Sequence, residues 1–369
     1  MDRTSTSYKS GRKEGKMSSL VVEVCKVKEV EHHPNADRLD VAKIKGWECI
    51  VGRDEYEAGD LVIFVPPDSI LPQDVIDRWK VSYLKSKIGR VGVVKLRGVY
   101  SYGLVLDNKD GHPRGTDVAD TYGITKWEPP SERKGDGSQH GRKANPAFRK
   151  YTKIEHYRNY DDVLEHGEQV IISEKIHGTN FRAGWVTKQV GPVTRFIRNL
   201  LGKGPAYEFV VGSHNVQIGD PNQKTYFGKN IYHIVATQMG LRKLPKGYIV
   251  FGEIFGSGIQ DMTYGRDALD VRFFDVWHEQ TQYLDYEDAS DFMEEHGLEM
   301  VPVLMEGPWG TDLLDVLPFR KTSALDDDTI IEGVVVKPRH ERIDPLLGRV
   351  VLKIINPSYL VRKKGSENK

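Results

Sequence analysis

Four runs of strand-forming residues each carry a charge where a buried strand ordinarily has none. They are Gln169-Val170-Ile171-Ile172-Ser173-Glu174-Lys175, Phe251-Gly252-Glu253-Ile254-Phe255, Ile331-Glu332-Gly333-Val334-Val335-Val336-Lys337 and Arg349-Val350-Val351-Leu352-Lys353. A fifth, Val271-Arg272-Phe273-Phe274-Asp275-Val276, sets an aromatic beside an acid. A charge inside an apolar strand is costly unless it is paired or bound to something. The fold is therefore expected to bring these strands together around one shared site. Lys175 stands where its strand runs out into the turn Ile176-His177-Gly178-Thr179-Asn180, and Gly178 is expected to let the backbone come close to a ligand. A lysine held there can act as a covalent nucleophile once its ammonium has lost a proton. A bare K-x-x-G also describes a surface lysine before a glycine turn; the ordered set of strands downstream is what sets this one apart.

The chain has 369 residues, enough for two domains with sizeable cores. Basic and acidic residues number 53 each, so net charge selects no partner. The only cysteines, Cys25 and Cys49, exclude a disulfide framework and a zinc site and suit a reducing, cytoplasmic or otherwise intracellular setting. No apolar run approaches the roughly 20 residues of a membrane helix, so no membrane partner is expected. The first 16 residues lack the apolar core of a signal peptide. Residues 1–18 read as a disordered tail, with Met17 an alternative start.

Residues 19–125 read as a β domain of short strands and turns, with strands through Val21–Val27 and Leu61–Val65. Residues 126–147 read as a flexible basic linker, opened by Pro129-Pro130; six basic and two acidic residues lie between Ser131 and Lys150. A solvated hinge and a contact to a nucleic-acid backbone both fit it. Residues 148–369 form the second domain. Strands are expected around 169–174, 181–186, 208–213, 248–253, 271–276, 331–336 and 349–355, with helices over 229–241 and 287–296. No Gly-rich turn joins a strand to a helix, which excludes a Rossmann unit and a P-loop. The class is thus α+β, a barrel-like β domain followed by antiparallel sheets flanked by helices. Segment 187–206 holds Lys188, Arg195, Arg198 and Lys203 without an acid, and Phe196, Ile197, Leu200 and Leu201 at helical spacing. It reads as a surface helix packing one apolar face, with a face toward nucleic acid as the alternative. The acidic stretch 285–299 reads as a solvated helix and Asp326-Asp327-Asp328 as a loop.

Two stretches of the first domain, His33-Pro34-Asn35-Ala36-Asp37-Arg38-Leu39 and Lys95-Leu96-Arg97-Gly98-Val99-Tyr100-Ser101-Tyr102-Gly103-Leu104-Val105-Leu106, resemble the OB-fold tRNA-binding domain appended to some synthetases and tRNA chaperones. That resemblance implies a five-stranded barrel that handles nucleic acid. Arg38, Lys95 and Arg97 would meet phosphates, and Tyr100 or Tyr102 would stack on bases. Ordinary strand and turn residues of a structural barrel are the alternative. The second domain resembles the covalent nucleotidyltransferases, which comprise ATP-dependent ligases and mRNA capping enzymes. Within them it is most similar to the RNA ligase 2 family. The details are His177-Gly178-Thr179-Asn180, Lys150-Tyr151-Thr152-Lys153-Ile154-Glu155 and Gly252-Glu253-Ile254-Phe255-Gly256-Ser257-Gly258-Ile259-Gln260. DNA ligases and capping enzymes carry an OB domain after their last lysine motif. Here 16 residues follow Lys353, too few for a barrel, and the OB-like domain comes first.

The resemblance implies an RNA ligase that uses ATP and Mg²⁺ or Mn²⁺. Lys175 would take AMP from ATP, Glu174 and its backbone would border the adenine, and Phe274 would stack on it. Glu253 and Glu332 would face ribose and metal. Lys353 would bind the α-phosphate, and Asn180 would act near the 5′-phosphate or ribose. The substrate implied is nicked duplex RNA or an RNA/DNA hybrid, with no protein partner. A ligase of free single-stranded ends, a guanylyltransferase and an RNA-binding protein with a silent nucleotidyltransferase fold are the alternatives. Two positions depart from the family. A second lysine usual in the last motif is replaced by Ile355, and an arginine after the nucleophile motif has its nearest match in His214. Arg362, Lys363, Lys364 or Lys337 are the expected substitutes for the lost positive charge.

Overall fold

The structure is a computed structural model, and it describes residues 20–82, 89–127, 144–219, 221–222, 225, 227–310, 313 and 322–362. The expected tail, most of the expected linker, and Lys363 and Lys364 lie outside the described residues.

The first domain is an antiparallel five-stranded sheet in the order Trp47–Gly52, Leu39–Ile44, Glu23–His32, Leu61–Val65, Leu104–Asp107. The sheet curls until Trp47–Gly52 meets the strand Val99–Tyr102. There the Ser101 hydroxyl accepts from the Ile50 amide at 2.9 Å, and the Cys49 thiol donates to the Tyr102 carbonyl. Strand alternation fills the inside: Val62 and Phe64 point into a cluster with Ala42, Ile44, Trp47 and Tyr102. Their neighbours Ile63 and Val65 point outward, yet are buried beneath the helix Gln73–Trp79 and residues Val118, Tyr122 and Ile124. Leu61–Val65 is thus covered on both faces, which explains why it reads as a continuous apolar run. Both cysteines are buried inside this domain and unpaired.

The second domain is two sheets set face to face. The first runs Glu155–His156, Leu352–Ile355, Gly333–Pro338, Gln169–Lys175, Val303–Pro308. The second runs Gln217–Ile218, Tyr207–Gly212, Thr179–Thr187, Tyr248–Gly256, Leu269–His278, Gln282–Tyr283. The helices Ile231–Gln238 and Tyr286–Glu295 cover the outer face of the second sheet. They bury Val235 and Phe292 against Phe181, Val250 and Phe273. The inner faces of the two sheets enclose the cleft described below. The expected strands and helices of this domain are present, with two changes: the sheet pairing begins at Gly333, so Glu332 stands at the strand's mouth rather than within it, and the strand expected over 349–355 is split, Arg349 pairing with Ile343 in a separate short ladder while the sheet strand starts at Leu352. No helix among the described residues is long and apolar enough to cross a membrane.

The barrel is docked on the second domain. The Trp47 indole donates to Asn159 Oδ1 at 2.8 Å and stacks at 4.5 Å on His156. The Arg158 guanidinium donates to the Gly46 carbonyl at 2.7 Å, and the Gly46 amide returns a bond to the Arg158 carbonyl. Lys28 pairs with Asp161, and the Tyr100 and Ser358 hydroxyls lie 2.9 Å apart. Burial, with Lys353 and Arg158 nearby, holds the His156 imidazole well below its usual range, so it meets Trp47 uncharged.

One expectation fails. The helix Pro192–Leu200 exists, but it stands in a long excursion between strands Thr179–Thr187 and Tyr207–Gly212 and buries none of its residues. Phe196 is 68% and Leu200 75% exposed. Arg198 donates to the Gly204 carbonyl within the same excursion. Amphipathic spacing predicted the helix correctly but not what its apolar stripe rests on. Phe196→Ser should therefore change unfolding free energy by no more than about 0.5 kcal/mol. Phe273→Ala, in the core beneath the two packed helices, should cost about 3–5 kcal/mol. Urea titrations of both variants against the parent chain measure the contrast.

Candidate active site

Lys175 is the last residue of its strand, and its ammonium donates to Glu332 Oε1 at 2.7 Å. Register explains the meeting. Lys175 lies opposite Gly333, which in turn lies opposite Ile355; Ser173 lies opposite Val335, which lies opposite Lys353. Cross-strand partners share a face. Lys175 and Lys353 therefore sit on adjacent rows of the sheet's inner face, and Glu332 enters from the strand's mouth. Glu174, one residue earlier, turns to the outer face. Its carboxylate accepts from the Ser323 hydroxyl at 2.5 Å and the Ala324 amide at 2.7 Å.

The turn after Lys175 carries the chain from the first sheet into the second. A Cβ at Gly178 would sit 2.2 Å from the Ile254 carbonyl oxygen. The neighbouring strand thus demands a glycine here. Once across, Asn180 lies opposite Glu253, and both line the cleft with Lys175. Phe274 reaches the cleft by a β-bulge. Phe251 pairs with Asp275 and Gly252 with Phe273, so Phe274 is the extra residue. The bulge lets consecutive residues, Phe274 and Asp275, both face inward, where strict alternation would hide one.

The charges are unevenly held. Burial is the main influence on Glu253, reinforced by Glu332 and opposed by Lys175, and it pushes the carboxyl up to about 8. Burial also works to raise Glu332, but Lys175 and His177 outweigh it and hold this carboxylate below its usual range. Glu332 Oε2 and Asn180 Oδ1 are buried and have no hydrogen-bond partner among the described residues. Glu332 Oε2, buried without a hydrogen-bond partner among the described residues, and the Glu253 carboxyl, raised by burial, approach Lys175 from the two sheets, and such hard oxygens fit a divalent cation that prefers oxygen ligands.

Other expected residues fall as follows. Ile355, in the row of Lys175, is buried with Ile176 and Tyr359. Arg362 does not substitute for the missing lysine there: it donates to Asp261 Oδ2 at 2.9 Å and lies over the Tyr359 ring. Lys337 does line the cleft, while paired with Asp275 at 2.8 Å. His214 is half-buried, and burial with Arg182 and Lys150 nearby lowers its pKa. Arg182 is structural, donating to the Phe148, Arg149 and Ser213 carbonyls. In the barrel, Arg38 and Arg97 are exposed on two turns joined by an Asn35 side-chain bond to the Arg97 carbonyl, and Lys95 is exposed on the strand Val93–Leu96. Tyr100 differs: its hydroxyl meets Ser358 of the second domain, and the Lys95 ammonium lies 4.8 Å over its ring.

Sequence reasoning missed two clusters. One lies behind Phe274, where Asp275 accepts from the Tyr151 hydroxyl at 2.6 Å, from Lys337 at 2.8 Å and from Arg349 at 2.8 Å. Arg349 and Lys337 overcome the burial that would raise Asp275 and keep it ionised below its usual range. Its signal was present, since Asp275, Lys337 and Arg349 are all charges in apolar runs. The other cluster joins His177 to Asp261 and Tyr359, and nothing local in the sequence marks those two residues as partners.

Removing one member of the buried Asp275 cluster leaves charges without partners. Asp275→Ala should destabilise the fold by about 3–5 kcal/mol, read by urea unfolding. Glu253 gives a pH-dependent outcome. Its folded pKa is raised, so the protonated form favours folding. That stability is present below about pH 4.5 and is lost as pH rises through about 8. Without metal or nucleotide, Glu253→Gln should match the parent melting temperature at pH 5 and exceed it at pH 9. Thermal melts across that range decide it.

The sequence model of the RNA ligase family matches residues 168–355, just over half of the chain, and an OB-fold domain model matches residues 21–108. No curated protein matches the chain in sequence. Solved structures of the Naegleria gruberi RNA ligase do match. A lysine-to-alanine variant with ATP and Mn superposes with a TM-score of 0.72 at 20% identity, covering 94% of this chain and 100% of that one. A glutamate-to-alanine variant with AMP and Mn gives 0.73 at 21%, covering 94% and 99%. The form with PPi gives 0.70 at 21%, covering 95% and 100%. At such identities the likeness speaks for the fold, an OB barrel in front of a ligase-type nucleotidyltransferase domain. The family match spans the strands that bring Lys175, Glu253 and Phe274 to the cleft and those that carry Glu332 and Lys353, and on it this chain belongs to the RNA ligase family.

Proposed function

We propose that this RNA ligase is ATP-dependent and seals 3′-hydroxyl/5′-phosphate nicks in duplex RNA or RNA/DNA hybrids, through a lysyl-AMP on Lys175 and an adenylylated 5′ end. The observation that carries the reading is the Lys175–Glu332 contact inside a cleft that also holds Glu253, Asn180 and Phe274. A nucleophilic lysine, a pair of acids and one aromatic face at the same opening are what adenylyl transfer to a side chain needs. The ATP and Mn bound in the Naegleria structure support ATP and a divalent metal as the reagents here.

Roles follow from placement. The amine attacks only after the Nζ proton has left, and the carboxylate in contact with it is Glu332. The new bond is Nζ–Pα; the bond that breaks joins Pα to the bridging oxygen, and pyrophosphate departs. Glu253 and Glu332 would hold Mg²⁺ or Mn²⁺, which when bound supplies charge neutralisation for the phosphates. Phe274 offers the ring face for adenine, with Val335 from the opposite sheet. Lys353, one row from Lys175, would bind the α-phosphate. Glu174 contributes its backbone to the adenine border, because its carboxylate is held on the other face. Arg38, Lys95 and Arg97 would meet RNA phosphates from the barrel.

Incubation with α-labelled ATP and Mg²⁺ or Mn²⁺, followed by a denaturing gel, should show a covalent adduct on the parent chain and none on Lys175→Ala. An adduct mapped to another lysine would sink the assignment. Glu253→Gln and Glu332→Gln should each lower sealing of a nicked duplex by about 100-fold. Sealing near the parent rate in either would make that acid structural.

A further inference from the structure

The short helix Pro357–Val361 follows directly on the strand that carries Lys353, and it touches both the docked barrel and the site. On the barrel side, Leu360 packs against the cluster of Trp47, Phe64 and Tyr102, and the Ser358 hydroxyl lies 2.9 Å from that of Tyr100. On the site side, Tyr359 is fully buried with Ile176 and Ile355, and its hydroxyl lies 3.2 Å from His177 Nδ1. The other ring nitrogen of His177 lies 2.9 Å from Asp261 Oδ1. Arg362 closes the arrangement, donating to Asp261 Oδ2 and lying 4.2 Å over the Tyr359 ring.

His177 is thereby held through both nitrogens. Its Nδ1 stands 3.7 Å from Glu332 Oε2, beyond hydrogen-bond distance but in direct charge range. The root of the helix fixes Glu332 as well. Asn356 donates its amide to the Glu332 carbonyl at 2.9 Å and its side-chain nitrogen to the Ile331 carbonyl at 3.0 Å. So the side chain beside Glu332 and the peptide that carries Glu332 are both anchored to one helix, and that helix is pressed into place by the barrel.

We infer that Pro357–Val361 is a strut through which the docked barrel sets His177 and Glu332 for the Lys175 step, with Tyr359 and Asp261 as positioning residues. The inference rests on Lys175 as the AMP acceptor. A barrel that only handles RNA has no influence on ATP chemistry when RNA is absent. A barrel that works through the strut does. Small displacements of a group that touches the nucleophile's partner are expensive in rate, because productive geometry is narrow.

The test is single-turnover labelling of full-length protein by α-labelled ATP with Mn²⁺ and no RNA, over a range of ATP concentrations. Tyr359→Phe and Asp261→Asn should each slow the maximal labelling rate by about tenfold while the half-saturating ATP concentration moves less than about twofold. On the barrel side, Leu360→Ala and Tyr100→Phe should slow it by about threefold or more, and Leu360→Met should restore it. Tyr100→Phe loses one hydroxyl and keeps the fold testable if Leu360→Ala does not. Parent-rate labelling by Tyr359→Phe, or by Tyr100→Phe together with any folded Leu360→Ala, overturns the strut. So does a weakened ATP dependence at unchanged maximal rate, which marks a merely loosened pocket. Absence of labelling in the parent chain would instead overturn the reading of Lys175, and the strut with it.

Discussion

The Lys175–Glu332 contact is the interaction on which the rest of the structure depends. Its partners are 157 residues apart in sequence; Glu332 is buried and Lys175 is one-fifth exposed. An ammonium and a carboxylate in such a place are tolerable only together, since either alone would leave an uncompensated buried charge. Bringing them together requires the first sheet to be complete, because Lys175 ends one strand and Glu332 introduces the next. The site is therefore a product of sheet closure. It also retains unmet demand: Glu253 is pushed toward its neutral form, and Glu332 Oε2 has no partner among the described residues. A fold at rest would gain by replacing such groups with apolar ones. Their retention in a cleft is the structural mark of a site whose balance is completed by what it binds.

The second constraint is the crossing between sheets. Lys175 belongs to one sheet and Asn180 to the other, and the turn between them allows no Cβ at Gly178. That glycine lets the turn lie directly against the neighbouring strand Tyr248–Gly256 of the second sheet. The bulge at Phe274 then places an aromatic ring on the far wall. A one-residue irregularity does here what no side-chain substitution could. It puts Phe274 over the cleft while Asp275, beside it, faces the buried pair Lys337 and Arg349.

Much of this was legible in the sequence, for a stated reason. Lone charges in apolar strands are conspicuous, and Lys175, Glu253, Glu332 and Lys353 were found by them; the structure sets all four on strands or strand ends of the facing sheets. Period-two alternation and short turns gave the α+β class and the strand positions. What could not be read were relations between distant segments. The bulge at Phe274 depends on the register of a partner strand, and the outward turn of Glu174 depends on which of two adjacent charges faces in. Arg362 looked like a spare cation because Asp261, its partner, is a hundred residues away. The helix Pro192–Leu200 misled in the opposite way: its stripe is real, but a stripe does not say whether anything lies beneath it.

The order of the chain gives the last step. The strand carrying Lys353 is the last of the first sheet to appear, and it pairs both with Gly333–Pro338 and with the short strand Glu155–His156. His156 in turn carries the Trp47 indole of the barrel. The strand that completes the sheet is therefore also the strand beside which the barrel is seated, through neighbouring contacts. A family member with its barrel at the front thereby gains what chain order alone would deny it. The barrel enters first and is separated from the nucleophile by an intervening segment, yet it is stitched to the site at both ends of the last sheet strand: through Trp47 and His156 at one, and through Tyr100 and Ser358 at the other. Contacts at two separated points restrain rotation as well as separation. A barrel so held keeps the exposed Arg38, Lys95 and Arg97 in a fixed relation to the cleft, and under the proposed function that relation is what would place a substrate, the one requirement that a lysine and two acids cannot meet by themselves.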